Sequence, residues 1–290
     1  MTTGNLYADR SSRGKLELTG PQRAWFLHQI LTQAFEDIEP GEARDTALIT
    51  AHGRMVGYME ALATDDALLL HYESELIDTL PEALQRYVFA TQVTIRDVTN
   101  DFGLVLVVDP RWKEIADEVT PDALAHRTLS LGVAAGYLWI AKELLHETLI
   151  AIKGSGLQEA TEEELEGLRV EWGMARWGHE MTEKTLPPEA GLDDIAVHYD
   201  KGCYVGQEAM AKIRFRGKVN RKLRRLRSDE PLAVGSELTL EDSKVGTVTS
   251  AAGGHALAMI RHTVEPGARV TAGEVTATVI DMTGPGEDPT

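Results

Sequence analysis

The chain has 290 residues, of which 43% are hydrophobic and 26% are charged, a composition typical of a folded globular protein. This composition excludes extensive disorder, and we expect only the terminal segment GPGEDPT, residues 284–290, to form a flexible tail. The net charge of -17 argues against a general polyanion binder, and no apolar run approaches the roughly 20 residues that span a bilayer.

The first part of the chain mixes hairpins with short helices. A strand is predicted at 15–18, followed by a helix from Pro21 to Ala34 with apolar residues at three- and four-residue spacing. Two hairpins follow, one turning at 52–54 and one at 65–66. The later predicted elements are strands at 91–98, 102–109 and 133–140 and helices at 75–90, 112–127 and 159–168. Because regular strand–helix alternation is lacking, we predict an α+β fold and not a doubly wound nucleotide fold.

Beyond about residue 217 the helical pattern ends and short β-type runs begin. Glycine, proline and aspartate separate these runs, which predicts a small antiparallel β-barrel or sandwich. The six predicted strands are 222–227, 236–240, 244–250, 255–261, 268–272 and 274–281. We therefore divide the chain into a region of two intertwined α+β lobes (1–216), a C-terminal barrel (217–283) and the tail (284–290).

The sequence lacks the motifs of several common metal, phosphate-binding and nucleophile sites. It lacks paired cysteines at CxxC spacing, HExxH, a phosphate loop and a GxSxG elbow, so we predict no metal site. One cysteine cannot hold an iron–sulfur cluster in the ordinary way. The lone Cys203 and an N-terminus without a signal-type apolar core fit a reducing compartment, and we expect a cytoplasmic protein without membrane contact.

Cys203 lies in the segment KGCYVGQE, residues 201–208, just before a helix-like run. If a helix begins near Val205, its dipole and the neighbouring Lys201 favour the thiolate form of Cys203. Gly202 and Gly206 permit a close approach by a ligand or another segment. The alternative is that Cys203 is only a small buried hydrophobic residue.

Two segments together carry a family resemblance. The segment 169–192, RVEWGMARWGHEMTEKTLPPEAGL, resembles a block of the glycine cleavage T-protein family, and KGCYVGQE resembles the signature of that family's YgfZ branch. The matching positions of the first block are Arg169, Glu171, Gly178, Glu180, Met181, Thr185, Pro187, Glu189, Gly191 and Leu192.

The resemblance implies a three-lobed fold around a cavity that binds tetrahydrofolate or a derivative non-covalently. It also implies a supporting role in the assembly or repair of iron–sulfur enzymes, including enzymes that modify tRNA, with iron–sulfur proteins as partners. Cys203 would be the reactive thiol of that role. The residues that it implies for folate binding are Arg169, Glu180, Lys201, Gly202, Tyr204, Gln207 and Glu208.

Departures from the family pattern separate two functions. The position of the T-protein catalytic aspartate falls on Gly57, which has no carboxylate. Among the remaining residues, we expect only Glu180, Glu189 or Glu208 to offer a carboxylate to the cavity. We therefore favour a folate-binding accessory protein over a folate-dependent one-carbon transferase, which stays the alternative.

A basic run at 212–227 contrasts with the acidic chain. One interpretation is a docking surface for RNA or an acidic partner. A second is a clamp for the glutamate tail of folate, since arginine and lysine pair well with carboxylates. A third is a solvated strand pair in which alternate residues face water.

Overall fold

The computed structural model describes residues 4–120, 123–216 and 219–282, so the predicted tail at 284–290 lies outside the described residues. The described chain forms two five-stranded sheets, one closed six-stranded barrel and six α-helices, which confirms the predicted α+β fold with a C-terminal antiparallel barrel. Within these ranges, every helix is too short or too polar to cross a membrane. The helices are α1 (Arg23–Ile30), α2 (Thr79–Gln85), α3 (Trp112–Val119), α4 (Leu145–Gly154), α5 (Glu162–Trp172) and α6 (Gln207–Arg216).

The strands, also numbered in chain order, fall into two groups, the ten of the open sheets in the first part of the chain and the six of the barrel in the second part. Those of the first half are β1 (Leu6–Asp9), β2 (Gly14–Thr19), β3 (Ala43–Ile49), β4 (Met55–Ala63), β5 (Ala67–Tyr72), β6 (Thr94–Asp97), β7 (Phe102–Val108), β8 (Leu124–Thr128), β9 (Ala135–Ala141) and β10 (Gln158–Glu159). Those of the second half are β11 (Arg221–Ser228), β12 (Glu237–Leu240), β13 (Ser243–Ala252), β14 (His255–Arg261), β15 (Arg269–Ala272) and β16 (Val275–Ile280).

The two open sheets exchange strands along the chain. The first sheet has the order β3-β4-β5-β2-β6, and the second has the order β10-β1-β7-β9-β8. Strand β1 therefore lies inside the second sheet, antiparallel to β7 and parallel to β10, before the chain crosses into the first sheet. The sheets pack face to face, with Leu62 and Leu69 of the first against Leu104 and Trp139 of the second.

The C-terminal barrel closes in the order β11-β14-β13-β12-β15-β16, so all six predicted strands are present. Apolar side chains such as Leu226, Val248 and Val279 alternate with polar ones and fill its interior. Closure leaves the barrel without a free edge strand to pair with other chains.

The structure differs from the sequence prediction where tertiary contacts override local pattern. Helix α1 ends at Ile30 and not at Ala34, because Leu31 forms a β-bridge with Leu48. The predicted helix at 112–127 splits into α3 and the strand β8, which pairs with β9. Helix α4 and strand β1 were not predicted.

Candidate functional site: a charged central cavity

A cavity of about 590 Å³ is lined by residues from both open sheets, from α5 and from the segment 173–195. This size falls in the range of about 300–1,000 Å³ that small-molecule sites occupy. Aromatic side chains of Tyr58, Tyr137 and Trp177 contribute flat surfaces to the wall. The charged part of the lining comprises four arginines and four carboxylates: Arg10, Arg13, Arg169, Arg176, Glu60, Glu73, Glu166 and Asp194.

Ion pairs hold several of these charges in place. The Arg13 guanidinium pairs with Glu73, and Arg176 lies 3.7 Å from Glu73 and 3.8 Å from Glu166. Burial raises the pKa of Glu73, but the Arg13 and Arg176 guanidiniums oppose it and hold the net pKa below the ordinary value. Arg10 Nε is buried without a hydrogen-bond partner in the described part of the chain, so the wall retains an unused donor.

A carboxylate–phenol pair on β3 and β4 lies beside the cavity. Asp45 on β3 lies directly opposite Glu60 on β4, and the Tyr58 hydroxyl donates a hydrogen bond to Asp45 Oδ1. Burial, followed by the charge of Glu60, raises the pKa of Asp45 to about 8 against the opposing effect of that hydrogen bond. Burial, with the neighbouring Asp45 and Glu60 charges, raises the pKa of Tyr58 well above its usual value. Tyr58 lines the central cavity, whereas Asp45 lines two pockets on the outside.

Glu60 also belongs to a buried cluster with His71 and His126. The two Nε2 atoms are 3.1 Å apart, and Glu60 Oε2 lies 3.8 Å from the first and 3.6 Å from the second. By distance alone a zinc ion would fit, because a point about 2.0 Å from all three atoms exists, close to a zinc–nitrogen bond length.

Hydrogen bonding opposes a metal ion in this cluster. Arg13 Nε donates to His71 Nδ1 at 3.1 Å. Because arginine only donates, a neutral His71 must carry its proton on Nε2, the atom that a metal would need. Burial and then the Arg13 charge lower the pKa of His71 well below its usual value, so the ring is neutral. His71 therefore donates from Nε2 to His126 Nε2.

The carboxylates of the cavity correct one sequence-based expectation. The expectation that only Glu180, Glu189 or Glu208 could reach the cavity is wrong, since Glu60 and Glu73 line it. The signal for this was present but incomplete: Tyr58 and Glu60 are polar residues two positions apart in a largely apolar strand and therefore share one face.

Gly57 points away from the cavity. A Cβ at this position would lie 2.8 Å from Leu80 Cδ1 on α2, so the space beside it is filled by the hydrophobic core. The following residue, Tyr58, faces the cavity. A carboxylate at position 57 of this backbone would therefore be buried against Leu80.

Of the residues that the sequence singled out for folate binding, Arg169 lines the cavity. Its guanidinium donates to Glu180 Oε2 at 2.8 Å and to Ser250 Oγ on β13 at 2.6 Å. Ser250 in turn donates to the other Glu180 oxygen at 2.6 Å. Glu180 is 1% exposed, and this network joins α5 to the barrel.

Lys201 is buried away from the cavity, where its ammonium group donates to the carbonyl oxygens of His28, Leu31 and Gln33. Two of these carbonyls lie at the C-terminal end of α1, where a cation is favourable. Burial lowers the pKa of Lys201 to about 7, and the charge of Glu36 opposes this shift. Its position indicates that Lys201 anchors the segment 201–208 to α1.

The rest of that segment also lies outside the described lining of the cavity. Cys203 is exposed, so the alternative of a small buried hydrophobic residue is wrong. Helix α6 begins at Gln207, two residues after Val205, which leaves Cys203 in the loop before the helix. Tyr204 is buried in the core of the first sheet, whereas Gly202 and Glu208 are exposed and Gln207 is half-buried.

The basic run at 212–227 does not form one strand pair. Its first part lies on α6 and its last part on β11, while residues 217 and 218 are outside the described ranges. The Arg214 guanidinium stacks over the Tyr199 ring at 4.3 Å, and Arg221 lies 3.3 Å from Glu189.

Comparison with known proteins shows which domain family and which solved fold this chain resembles. Residues 220–283 match the family model of the CAF17 C-terminal β-barrel domain. The crystal structure of the glycine cleavage system aminomethyltransferase T from Bartonella henselae superimposes with a TM-score of 0.87 at 15% identity, over 97% of this chain and 86% of that one.

Two relatives show similarity over most of this chain. The aminomethyltransferase of Corynebacterium aurimucosum is 25% identical over 305 residues, which cover 90% of this chain and 80% of the relative. A chloroplastic protein of Arabidopsis thaliana, provisionally named a transferase, is 27% identical over 279 residues, covering 87% of this chain. The chain spans only 62% of that plant protein's length. The chain is thus similar in sequence to aminomethyltransferases, has the fold of aminomethyltransferase T, and carries a barrel at residues 220–283 that matches the CAF17 C-terminal domain.

Proposed function

We propose that the central cavity binds a reduced folate and that the chain is an accessory protein for iron–sulfur enzymes, including enzymes that modify tRNA. The observation that carries the folate part is a cavity of about 590 Å³, lined by arginines, carboxylates and aromatic side chains, in an aminomethyltransferase T fold. Arg10 and Arg176 suit the carboxylates of a glutamate tail, and Tyr137 and Trp177 offer flat faces to a pterin ring.

The iron–sulfur part of the proposal depends on KGCYVGQE, which resembles the YgfZ signature. Because the Cys203 thiol is exposed and lies outside the described cavity lining, we infer that it acts on a partner protein and not on the bound pterin. A free surface thiol fits the reducing interior of a cell, so we propose a cytoplasmic location.

An anaerobic titration with tetrahydrofolate, followed by calorimetry and by tryptophan fluorescence, tests the folate proposal. Arg176→Ala should weaken binding about tenfold or more, because a hydrogen bond to a charged group contributes about 1.5–3 kcal/mol. Arg86→Ala is the matched control, since Arg86 is exposed directly after the end of α2. Wild-type protein that shows no saturable binding up to millimolar tetrahydrofolate would reject the proposal.

The thiol role has a separate test. Cys203→Ser should leave tetrahydrofolate affinity unchanged but fail to restore iron–sulfur enzyme activity in a strain that lacks the native protein. Full restoration by Cys203→Ser would reject the role of the thiol while leaving folate binding intact.

A further inference from the structure

We propose that Tyr58 and Asp45 form a proton relay that couples a ligand in the central cavity to solvent outside it. The Tyr58 oxygen accepts a proton from an N–H or O–H group of the ligand while its own hydroxyl proton passes to Asp45. The ligand loses one proton, Tyr58 keeps one throughout, and Asp45 gains one and releases it to water. The identity of the ligand, a reduced folate, rests on the proposed function.

The two residues lie on the same face of the first sheet, since Asp45 is paired with Glu60 and Tyr58 is two residues before Glu60. Asp45 is on the edge strand β3 and Tyr58 is on the next strand, β4. Tyr58 contributes to the central cavity, and its hydroxyl donates to Asp45 Oδ1. Asp45 is half-buried and lines two outer pockets, through which water can exchange its proton. Because Tyr58 donates toward Asp45, its oxygen lone pairs remain free to accept from the cavity side.

The surroundings allow Asp45 to change its charge. Among the described residues, no cation lies within ion-pair distance of Asp45, so no fixed charge holds it as a carboxylate. Arg44, its neighbour in the chain, pairs with Asp37 and Glu42 instead. The titratable groups that surround Asp45 are Glu60 and Tyr58 on β4, His71 on β5, His126 and Arg127 on β8, Lys113 and Asp117 on α3, and Asp37 and His198 across the outer pocket.

A proton acceptor works best when it titrates near the working pH. Burial and the Glu60 charge raise the pKa of Asp45 to about 8, which meets this requirement. The relay also provides a proton-handling group next to Gly57, the position at which the sequence lacks a carboxylate.

The first test needs no ligand. The side-chain carboxyl carbon of Asp45, assigned by comparison with Asp45→Asn, should titrate in the NMR spectrum with a midpoint near the pKa of about 8. In Glu60→Gln the midpoint should fall, because the variant lacks the negative charge that disfavours ionisation of Asp45. A midpoint near 4 in the wild-type protein, typical of an exposed aspartate, would overturn the relay.

The second test measures the tetrahydrofolate dissociation constant anaerobically from pH 6 to 9.5. In the wild type the affinity should change about tenfold around pH 8, the equivalent of a one-unit pKa shift. Asp45→Asn and Tyr58→Phe should both lose this inflection. Asp117→Asn, which removes another carboxylate of an outer pocket, should retain it.

The outcomes separate the relay from the folate proposal. Binding without an inflection, or with an inflection that persists in Asp45→Asn, overturns the relay and leaves folate binding intact. Absence of binding, combined with an Asp45 midpoint near 8 that falls in Glu60→Gln, rejects the folate ligand and supports the proton pair.

Discussion

Glu180→Ala should destabilise the protein by about 3–5 kcal/mol, because it removes the fully buried one of the two carboxylates that pair with the buried Arg169 guanidinium. Glu180 accepts from Arg169 at 2.8 Å, from the Arg176 backbone N–H at 3.1 Å and from Ser250 at 2.6 Å. Arg169 is 3% exposed, so water cannot replace the lost carboxylate without local opening. Glu166 still pairs with Arg169 in the variant, which places the expected cost at the lower end of the range.

Equilibrium urea unfolding, followed by circular dichroism, measures this cost. Glu180→Gln keeps the shape and the acceptor oxygen and should lose about half as much stability. Glu183→Ala is the control, since Glu183 is exposed in the same segment and its replacement should stay within about 0.5 kcal/mol. A loss below about 1 kcal/mol in Glu180→Ala would refute the reasoning that this network joins α5 to the barrel.

Three further predictions concern the segment 201–208 and the cavity wall. Gly206→Ala should lower the free energy of unfolding in urea by about 2 kcal/mol or more, since Gly206 has φ +82° and a Cβ there would lie 2.5 Å from the Thr50 carbonyl oxygen. Gly202→Ala is the control, because a Cβ at Gly202 has open space and should leave the stability unchanged. The folded pKa of Asp45, about 8, lies above its unfolded value of 3.8. The contribution of Asp45 to the free energy of unfolding is therefore full below pH 4 and is lost as the pH rises to 8. The free energy of unfolding should fall between pH 5 and pH 8.5, and Asp45→Asn should make that fall smaller by at least about 1.4 kcal/mol. Cys203 should react with a disulfide reagent in the native protein as fast as in urea, and slow native labelling would contradict its exposure.

Local pattern predicts the strands of this protein better than the ends of its helices. The barrel strands are visible in the sequence because each is a short β-type run between turn-forming residues. The end of α1 is not visible, since Leu31 leaves the helix to pair with Leu48, a contact that no local pattern encodes. Similarly, the sequence pattern at 124–127 predicts helix, but residues 124–128 form β8 because they pair with β9.

For the candidate site, the sequence pattern identifies residues that belong to a motif but not residues that meet through tertiary contacts. Arg169 was identified through its motif, and the structure places it in the cavity wall. Asp45 and Glu60 were missed, because they meet across two strands and their pairing depends on register. Cys203 was correctly singled out as unusual, but its relation to the cavity depends on the path of a loop that the sequence does not define.

The position of β1 has a consequence for how the chain is made. Leu6 pairs with both Val108 and Gln158, so β1 leaves the ribosome well before the two strands that it pairs with. Such distant pairings slow folding and expose unpaired strand edges during synthesis. The first sheet, by contrast, draws all its strands from residues 14–97 and can form early. We expect nascent chains that end before Gln158 to hold β1 unpaired on at least one side, where a chaperone can recognise it.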